Sequence, residues 1–316
     1  MATTSLEVSV SKPIFIGGTG RSGTTVLSKI LGEHPSIFSL PWETQFIVAS
    51  GGLLNYVRES GQDSILEQFL KSLRGRWFKR TIRPNTPQSY DAGLCDAVNI
   101  SELEFGIFQF LQELSAESPD SDFRGRRVRA AQALISHLFE TPMQKAGAAC
   151  WCEKTPRNIL YMDELKELFP EAKFVHIVRD GRDVVASMLS RKFWPIAPSP
   201  RFPETKKFRG PVTFEAAVAY WREMLMLAER VSEKIPSDSY LVVKLEDIVD
   251  RPKEQMGLIS GFLSDRIEGT PFTDTPSITE RAAHIGRWRA EFTDKQKKYF
   301  SEHAGDYLSL FGYSES

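Results

Sequence analysis

Short uninterrupted apolar runs, separated by longer stretches of helical periodicity, set the pattern of this chain. Four runs read as buried strands: residues 13–16, 148–152, 173–178 and 240–245. Runs that are apolar throughout, rather than alternating, mark strands covered on both faces. Apolar positions three and four apart predict helices over residues 23–31, 65–73, 102–114, 128–139, 160–168, 184–190, 214–234 and 294–311. Strands alternating with helices predict an α/β fold with a central, mainly parallel sheet flanked by helices. Ligands in such sheets sit beyond the carboxyl ends of the strands. Two stretches are less regular. Residues 74–98 mix basic, aromatic and proline residues, and residues 195–211 hold five prolines and read as a long loop forming a lid or rim. No repeat or clean linker divides the chain, so we expect a tail over residues 1–12 and one domain over 13–316.

Composition narrows the function by exclusion. The 316 residues are 41% hydrophobic, enough for a sizeable core, and 40 basic against 41 acidic residues give a formal charge of −1. That balance points to no nucleic-acid or membrane-surface partner. The first residues carry no signal-peptide core, and no apolar run reaches the ~18 residues of a membrane span, so the expected location is cytoplasmic. Cys95 stands alone and Cys150 and Cys152 are one residue apart, which fits neither a redox pair nor a metal-ligand pair. All three read as structural thiols.

The chemistry concentrates in two segments. In PIFIGGTGRSGTTV an apolar strand runs into a glycine-rich turn and then a helix, so backbone N–H groups and a helix N-terminus converge on one spot suited to an anion. Gly18-x4-Gly23 followed by Thr24 and Thr25 has Walker A spacing, but Thr24 stands where that motif has its lysine. Arg21, Ser22, Thr24 and Thr25 add a charge and hydroxyls to the amides of Gly20 and Gly23. On its own, the turn also reads as a glycine bend that lets a strand meet a helix. The second segment, FPEAKFVHIVRDGRDVVASMLSRK, ends a strand in Arg179, turns at Asp180 and Gly181, and carries Ser187 on the second turn of a helix. An arginine fork and a serine hydroxyl suit one phosphate. Equally, Arg179 and Asp180 read as a structural salt bridge beneath the turn.

Taken together, in this order and roughly 150 residues apart, the two segments resemble the paired phosphate-binding motifs of the sulfotransferase family, most closely its tyrosylprotein, carbohydrate and bacterial branches. Trp42-Glu43-Thr44, Cys152-Glu153-Lys154-Thr155-Pro156, VVKLEDIVDRP and Gly286-Arg287-Trp288 extend the likeness from residue 13 to about 290. The resemblance implies a nucleotide-kinase-like domain that uses 3′-phosphoadenosine 5′-phosphosulfate (PAPS) without a metal and releases 3′,5′-ADP (PAP). By the same resemblance, Gly20, Arg21, Ser22, Gly23, Thr24 and Thr25 cradle the 5′-phosphosulfate. Arg179 and Ser187 clamp the 3′-phosphate, and Arg287 and Trp288 close over the nucleotide. Lys154 lies beside the transferring group, and Glu43 is the general base for a hydroxyl acceptor. Arg21 and Lys154 are suited to stabilise charge on the leaving phosphate, and an ionised carboxylate can take the acceptor's proton. Pro41, Trp42 and Phe46 are expected to desolvate Glu43 and strengthen it as a base.

Among the histidines, His34 follows the first helix, His176 sits inside a strand, and His137 is the one alternative base. The sequence also departs from the tyrosylprotein branch. Gln45 replaces an arginine just past the Glu-Thr pair, and a membrane anchor and secretory disulfides are not apparent. Arg74, Arg76, Trp77, Phe78, Lys79 and Arg80, with Lys206, Lys207 and Arg209, read either as an acceptor groove or as solvated surface charge. The acceptor is a small molecule, carbohydrate or peptide, and neither its identity nor the oligomeric state is legible. Two other functions share the loop: a P-loop kinase or NTPase, and a catalytically silent nucleotide-binding protein.

Overall fold

The computed structural model describes residues 12–59, 63–79, 93–116, 122–190, 199, 201–208, 212–267, 272 and 285–314. Five strands form one sheet: β1 (Ile14–Gly17), β2 (Ile37–Ser39), β3 (Cys150–Lys154), β4 (Lys173–Val178) and β5 (Tyr240–Lys244). Their order is β2-β3-β1-β4-β5, and every neighbouring pair is parallel. The expected parallel α/β architecture is therefore present. β2 is a strand the apolar pattern did not reveal, because three residues are too few to show a run. β3 begins and ends two residues later than predicted. Buried between β1 and β2, it carries Glu153 and Lys154 inside the strand although both are charged.

Successive side chains of each strand feed opposite faces. Phe15, Trp151 and Phe174 lie in the larger core, with the Phe15 ring 5.5 Å from Trp151 and 5.7 Å from Phe174. Ile14, Ile16, Cys152, Val175 and Ile177 lie in a second core, closed by the helices Thr24–Gly32, Leu245–Asp250 and Pro252–Phe262. Cys150 and Cys152 are buried free thiols, and burial raises Cys152 well above its usual range, as inert packing groups require.

Helix ends follow local chemistry more than the apolar pattern does. The helix predicted over 128–139 runs over Phe123–Lys145, because the Asp122 carboxylate caps it by accepting from the Gly125 amide at 2.8 Å. The helix expected at 184–190 starts at Gly181, capped by Asp180 through the Arg182 amide at 2.9 Å. The irregular stretch 74–98 begins with a π-helical turn, Leu73–Trp77, and its residues 80–92 lie outside the described residues. Of the loop over 195–211, residues 203–208 form a short 3₁₀ turn, and 195–198, 200 and 209–211 lie outside the described residues.

The Gly181 backbone lies against the indole of Trp221 on the helix Phe214–Ser232, where an added Cβ would stand 2.5 Å from ring atoms. Gly181→Ala is expected to destabilise the fold by about 1–3 kcal/mol through overpacking. The check is a urea melt, in which the midpoint falls while the slope stays unchanged.

Candidate active site

β1, β3 and β4 end side by side, so the segments that follow them share one rim of the sheet. After β1, close packing shapes the turn: a Cβ on Gly18 would lie 2.4 Å from the Ile177 carbonyl oxygen. Ser22 braces this turn rather than facing outward. Its hydroxyl donates to the Thr19 carbonyl at 2.7 Å, and its amide donates to the same oxygen at 3.2 Å. Arg21 has a φ of 73° and Gly23 of 102°, both left-handed, which turns the chain into the helix Thr24–Gly32. Gly23 caps that helix without a side chain, and its first turn holds no acid. The Val26 amide bonds the Gly23 carbonyl at 2.9 Å, and the positive helix end, with no acidic side chain on it, suits an anion.

The Arg21 side chain crosses to the other motif. Its Nε donates to Ser187 Oγ at 3.0 Å, and Arg179 Nη1 donates to the Arg21 carbonyl at 3.3 Å. The structure therefore brings the two predicted phosphate motifs together, and it places Arg21 between them rather than wholly on the 5′ side. Arg179 also lies 3.7 Å from Asp183, so the expected structural ion pair exists, but with Asp183 and not Asp180. Asp180 instead pairs with Arg182 at 2.8 Å.

Asp183 is a residue the sequence reading missed. It accepts from the amides of Gly286 at 2.6 Å and Trp288 at 3.2 Å, which pins the late Gly-Arg-Trp segment to the clamp helix. Burial raises its carboxyl, and those two amides oppose the rise. The Arg182 guanidinium stacks 3.9 Å from the Trp288 ring centre. Trp288 is buried, and its Nε1 has no hydrogen-bond partner among the described residues. Arg287 pairs with Glu291 at 2.7 Å.

Beside the loop, Lys154 Nζ lies 3.2 Å from Glu43 Oε1, so the two predicted transfer residues meet as a pair. The Lys154 side chain is 6% exposed and that of Glu43 31%. Trp42 and Phe46 beside Glu43 are buried in the core. Gln45, with φ 54°, donates to the second Glu43 oxygen at 3.3 Å. Below them, Glu153 is fully buried. It accepts from Thr44 Oγ at 3.0 Å, the Thr44 amide at 3.3 Å, Thr155 Oγ at 2.7 Å and Asn158 Nδ2 at 2.6 Å. Burial raises its carboxyl, and those donors oppose the rise. Glu153 therefore ties the Glu43 loop to the strand end that carries Lys154. A lone acid in an apolar strand was the available signal for it.

Tyr220 was also missed, since an aromatic on an amphipathic helix reads as core. Its phenol is raised by burial, and the Arg157 charge and the Gly20 amide offset that rise while the Glu43 carboxylate adds to it. The ring therefore lies within electrostatic reach of both the loop and Glu43.

Other predicted residues fall elsewhere. His137 Nε2 bonds the Glu102 carbonyl at 3.0 Å in the seam between the helices Ile100–Ser115 and Phe123–Lys145. His176 bonds the Tyr240 hydroxyl at 2.7 Å, and burial lowers its pKa to about 4, so it stays neutral. His34 Nδ1 accepts from the Ser36 amide at 3.1 Å, His303 stacks on Tyr299, and His284 lies outside the described residues. The basic-aromatic stretch is largely committed. Arg74 makes a two-pronged pair with Glu104 at 2.7 Å, Trp77 is buried, and Lys207 pairs with Glu223 at 2.7 Å. Arg80 and Arg209 lie outside the described residues. No described helix is long and apolar enough to cross a membrane.

This geometry is matched by relationship. Residues 13–266 match the sulfotransferase family, and the chain belongs to it. "Protein-tyrosine sulfotransferase A" of Caenorhabditis elegans is 25% identical over 250 residues, covering 79% of this chain and 49% of that protein. "Protein-tyrosine sulfotransferase 1" of Homo sapiens is 31% identical over 179 residues, covering 57% and 34%. "Nodulation protein NoeE" of Sinorhizobium fredii is 23% identical, covering 96% and 66%. The chain thus spans about half or less of the two tyrosine sulfotransferases. The sulfotransferase domain of a curacin biosynthetic pathway shares the fold, with a TM-score of 0.53 at 11% identity over 96% of this chain and 98% of that domain.

Replacing Glu153 by alanine strands the Thr44 amide and the Asn158 side chain in a buried site. At about 1–3 kcal/mol for each orphaned donor, Glu153→Ala is expected to lose about 3 kcal/mol of stability or more. Guanidinium denaturation checks this.

Proposed function

We propose that the chain transfers a sulfuryl group from PAPS to a hydroxyl acceptor and releases PAP. The observation that carries this reading is the Arg21–Ser187 contact, which joins a lysine-free phosphate loop to an arginine–serine clamp 166 residues away. A single nucleotide bearing phosphates at both ends of its ribose matches two adjacent anion sites. When bound, the donor supplies an activated sulfuryl group on a phosphate leaving group.

The chain's own residues would do the rest. The amides of Gly23, Thr24 and Thr25 and the helix N-terminus would hold the 5′ end, with Ser22 bracing the turn and the Gly20 amide already given to Tyr220. Arg179 and Ser187 would hold the 3′-phosphate, and Arg287 and Trp288 would cover the nucleotide. Lys154 and Arg21 would balance negative charge that builds on the leaving oxygen. Glu43 would accept the proton of the acceptor hydroxyl, while Lys154 and Gln45 fix its two oxygens. The acceptor class that fits is a hydroxyl on a sugar, lipid, phenol or peptide. The tyrosine-directed names of two relatives add the phenol of a peptide to the acceptors to be assayed.

The kinase reading retains only the loop spacing, since Thr24 occupies the lysine position. The silent reading conflicts with the Glu43–Lys154 pair standing beside the loop.

Breaking a buried ion pair by removing one partner costs about 3–5 kcal/mol, less here because Glu43 is partly exposed, so the informative variant keeps the shape. Glu43→Gln is expected to lower kcat for sulfuryl transfer by about 10²–10⁴-fold while leaving the Kd for PAP within about twofold. Lys154→Ala is expected to lower kcat by about 10²–10³-fold. Radiolabelled sulfate transfer and donor hydrolysis by the purified protein check both, and undiminished turnover in both variants would remove their assigned roles.

A further inference from the structure

A hydrogen-bonded chain behind the clamp runs from the VVKLEDIVDRP segment to Asp180. Tyr313, close to the end of the described chain, donates its hydroxyl to Glu246 Oε2 at 2.9 Å. Glu246, in the first turn after β5, uses its other oxygen to accept the Asp180 amide at 3.0 Å. That amide belongs to the peptide joining Arg179 to Asp180. Holding it fixes the backbone of Arg179 and the cap of the helix that carries Ser187. Both halves of the clamp therefore hang on one amide, which Glu246 holds from behind.

We infer that Glu246 and Tyr313 are positioning residues that set the preference of this site for a 3′-phosphorylated nucleotide. The inference rests on the proposed function. Three observations support it besides the distances. Burial lowers the Arg179 pKa, and Glu246 is the second carboxylate, after Asp183, that offsets this. Glu246 thus helps keep the guanidinium charged as well as aimed. Burial raises Glu246 itself, whereas the Asp180 amide and the Tyr313 hydroxyl act to keep it ionised. Tyr313 is pushed far above its usual range, chiefly by burial and then by Glu246, so it remains a proton donor. Its ring also packs 5.0 Å from the Lys244 ammonium, a contact that does not need the hydroxyl. Removing the hydroxyl alone therefore takes one hydrogen bond from Glu246 while the aromatic contact stays.

The geometry makes the effect selective. Among the described residues neither Glu246 nor Tyr313 hydrogen-bonds the loop after β1. The clamp meets that loop through Arg21, so the 5′ end of a nucleotide is affected less than its 3′ end. The loss falls on Arg179 and Ser187, and hence on the 3′-phosphate.

The test compares wild type, Tyr313→Phe and Glu246→Gln by calorimetric titration with 3′,5′-ADP, and with 5′-AMP measured by displacement. Tyr313→Phe is expected to weaken 3′,5′-ADP by about 3- to 10-fold, as loss of one buried hydrogen bond implies, and to leave 5′-AMP within about twofold. Glu246→Gln is expected to weaken 3′,5′-ADP further, and in turnover the KM for the donor should rise more than kcat falls. A merely structural role would weaken both nucleotides by the same factor, and that result overturns the inference, as does unchanged binding of both. Wild-type protein that fails to bind 3′,5′-ADP overturns the proposed function and the inference with it. Wild-type binding that neither variant alters overturns the inference alone.

Discussion

Everything at this site depends on β1 lying in parallel between β3 and β4. In that register Ile16 pairs with Lys154 on one side and Val175 on the other, so three strands end together. The phosphate loop, the Lys154–Glu43 pair and the Arg179 clamp come from distant parts of the sequence and reach one rim because their strands are neighbours. An alternation of strand and helix specifies a parallel sheet, and the parallel sheet puts the carboxyl ends on one side.

The second consequence of that arrangement is electrostatic. Strands covered on both faces leave their ends in a region with little water, so charges there are desolvated and must be balanced locally. Glu153 is balanced by four hydrogen bonds, Asp183 by two backbone amides, and Arg182 by Asp180 and the face of Trp288. These groups hold donors and acceptors in fixed positions. Preorganised dipoles in a dry site act more strongly on developing charge than mobile water does. Pairing Glu43 with Lys154 fits this pattern, since the ammonium that would face the leaving oxygen is already held in place.

Much of this was legible in the sequence. The apolar runs located four of five strands, and glycine and threonine spacing located the loop. The resemblance carried by the two motifs then placed Arg179 and Ser187 in one clamp, and the structure connects Ser187 to Arg21. Other features depended on contacts that no local pattern encodes. β2 was too short to register. The end of β3 was misplaced because Glu153 and Lys154 look like loop residues until their burial partners are known. Asp183, Glu153 and Tyr220 acquire meaning only through distant partners: the 286–288 backbone, Thr44, and the loop beside Gly20. Of the basic stretch read either as an acceptor groove or as solvated surface charge, Arg74 is paired with Glu104 at the surface.

The central claim is that two linked anion sites receive one nucleotide phosphorylated at both ends of its ribose. The most direct measurement is calorimetric titration of the purified protein with 3′,5′-ADP in EDTA, set against ATP with magnesium. The account predicts saturable one-to-one binding of 3′,5′-ADP in the micromolar range, with ATP much weaker. Tight binding of ATP with magnesium, and none of 3′,5′-ADP at high micromolar concentration, would contradict it.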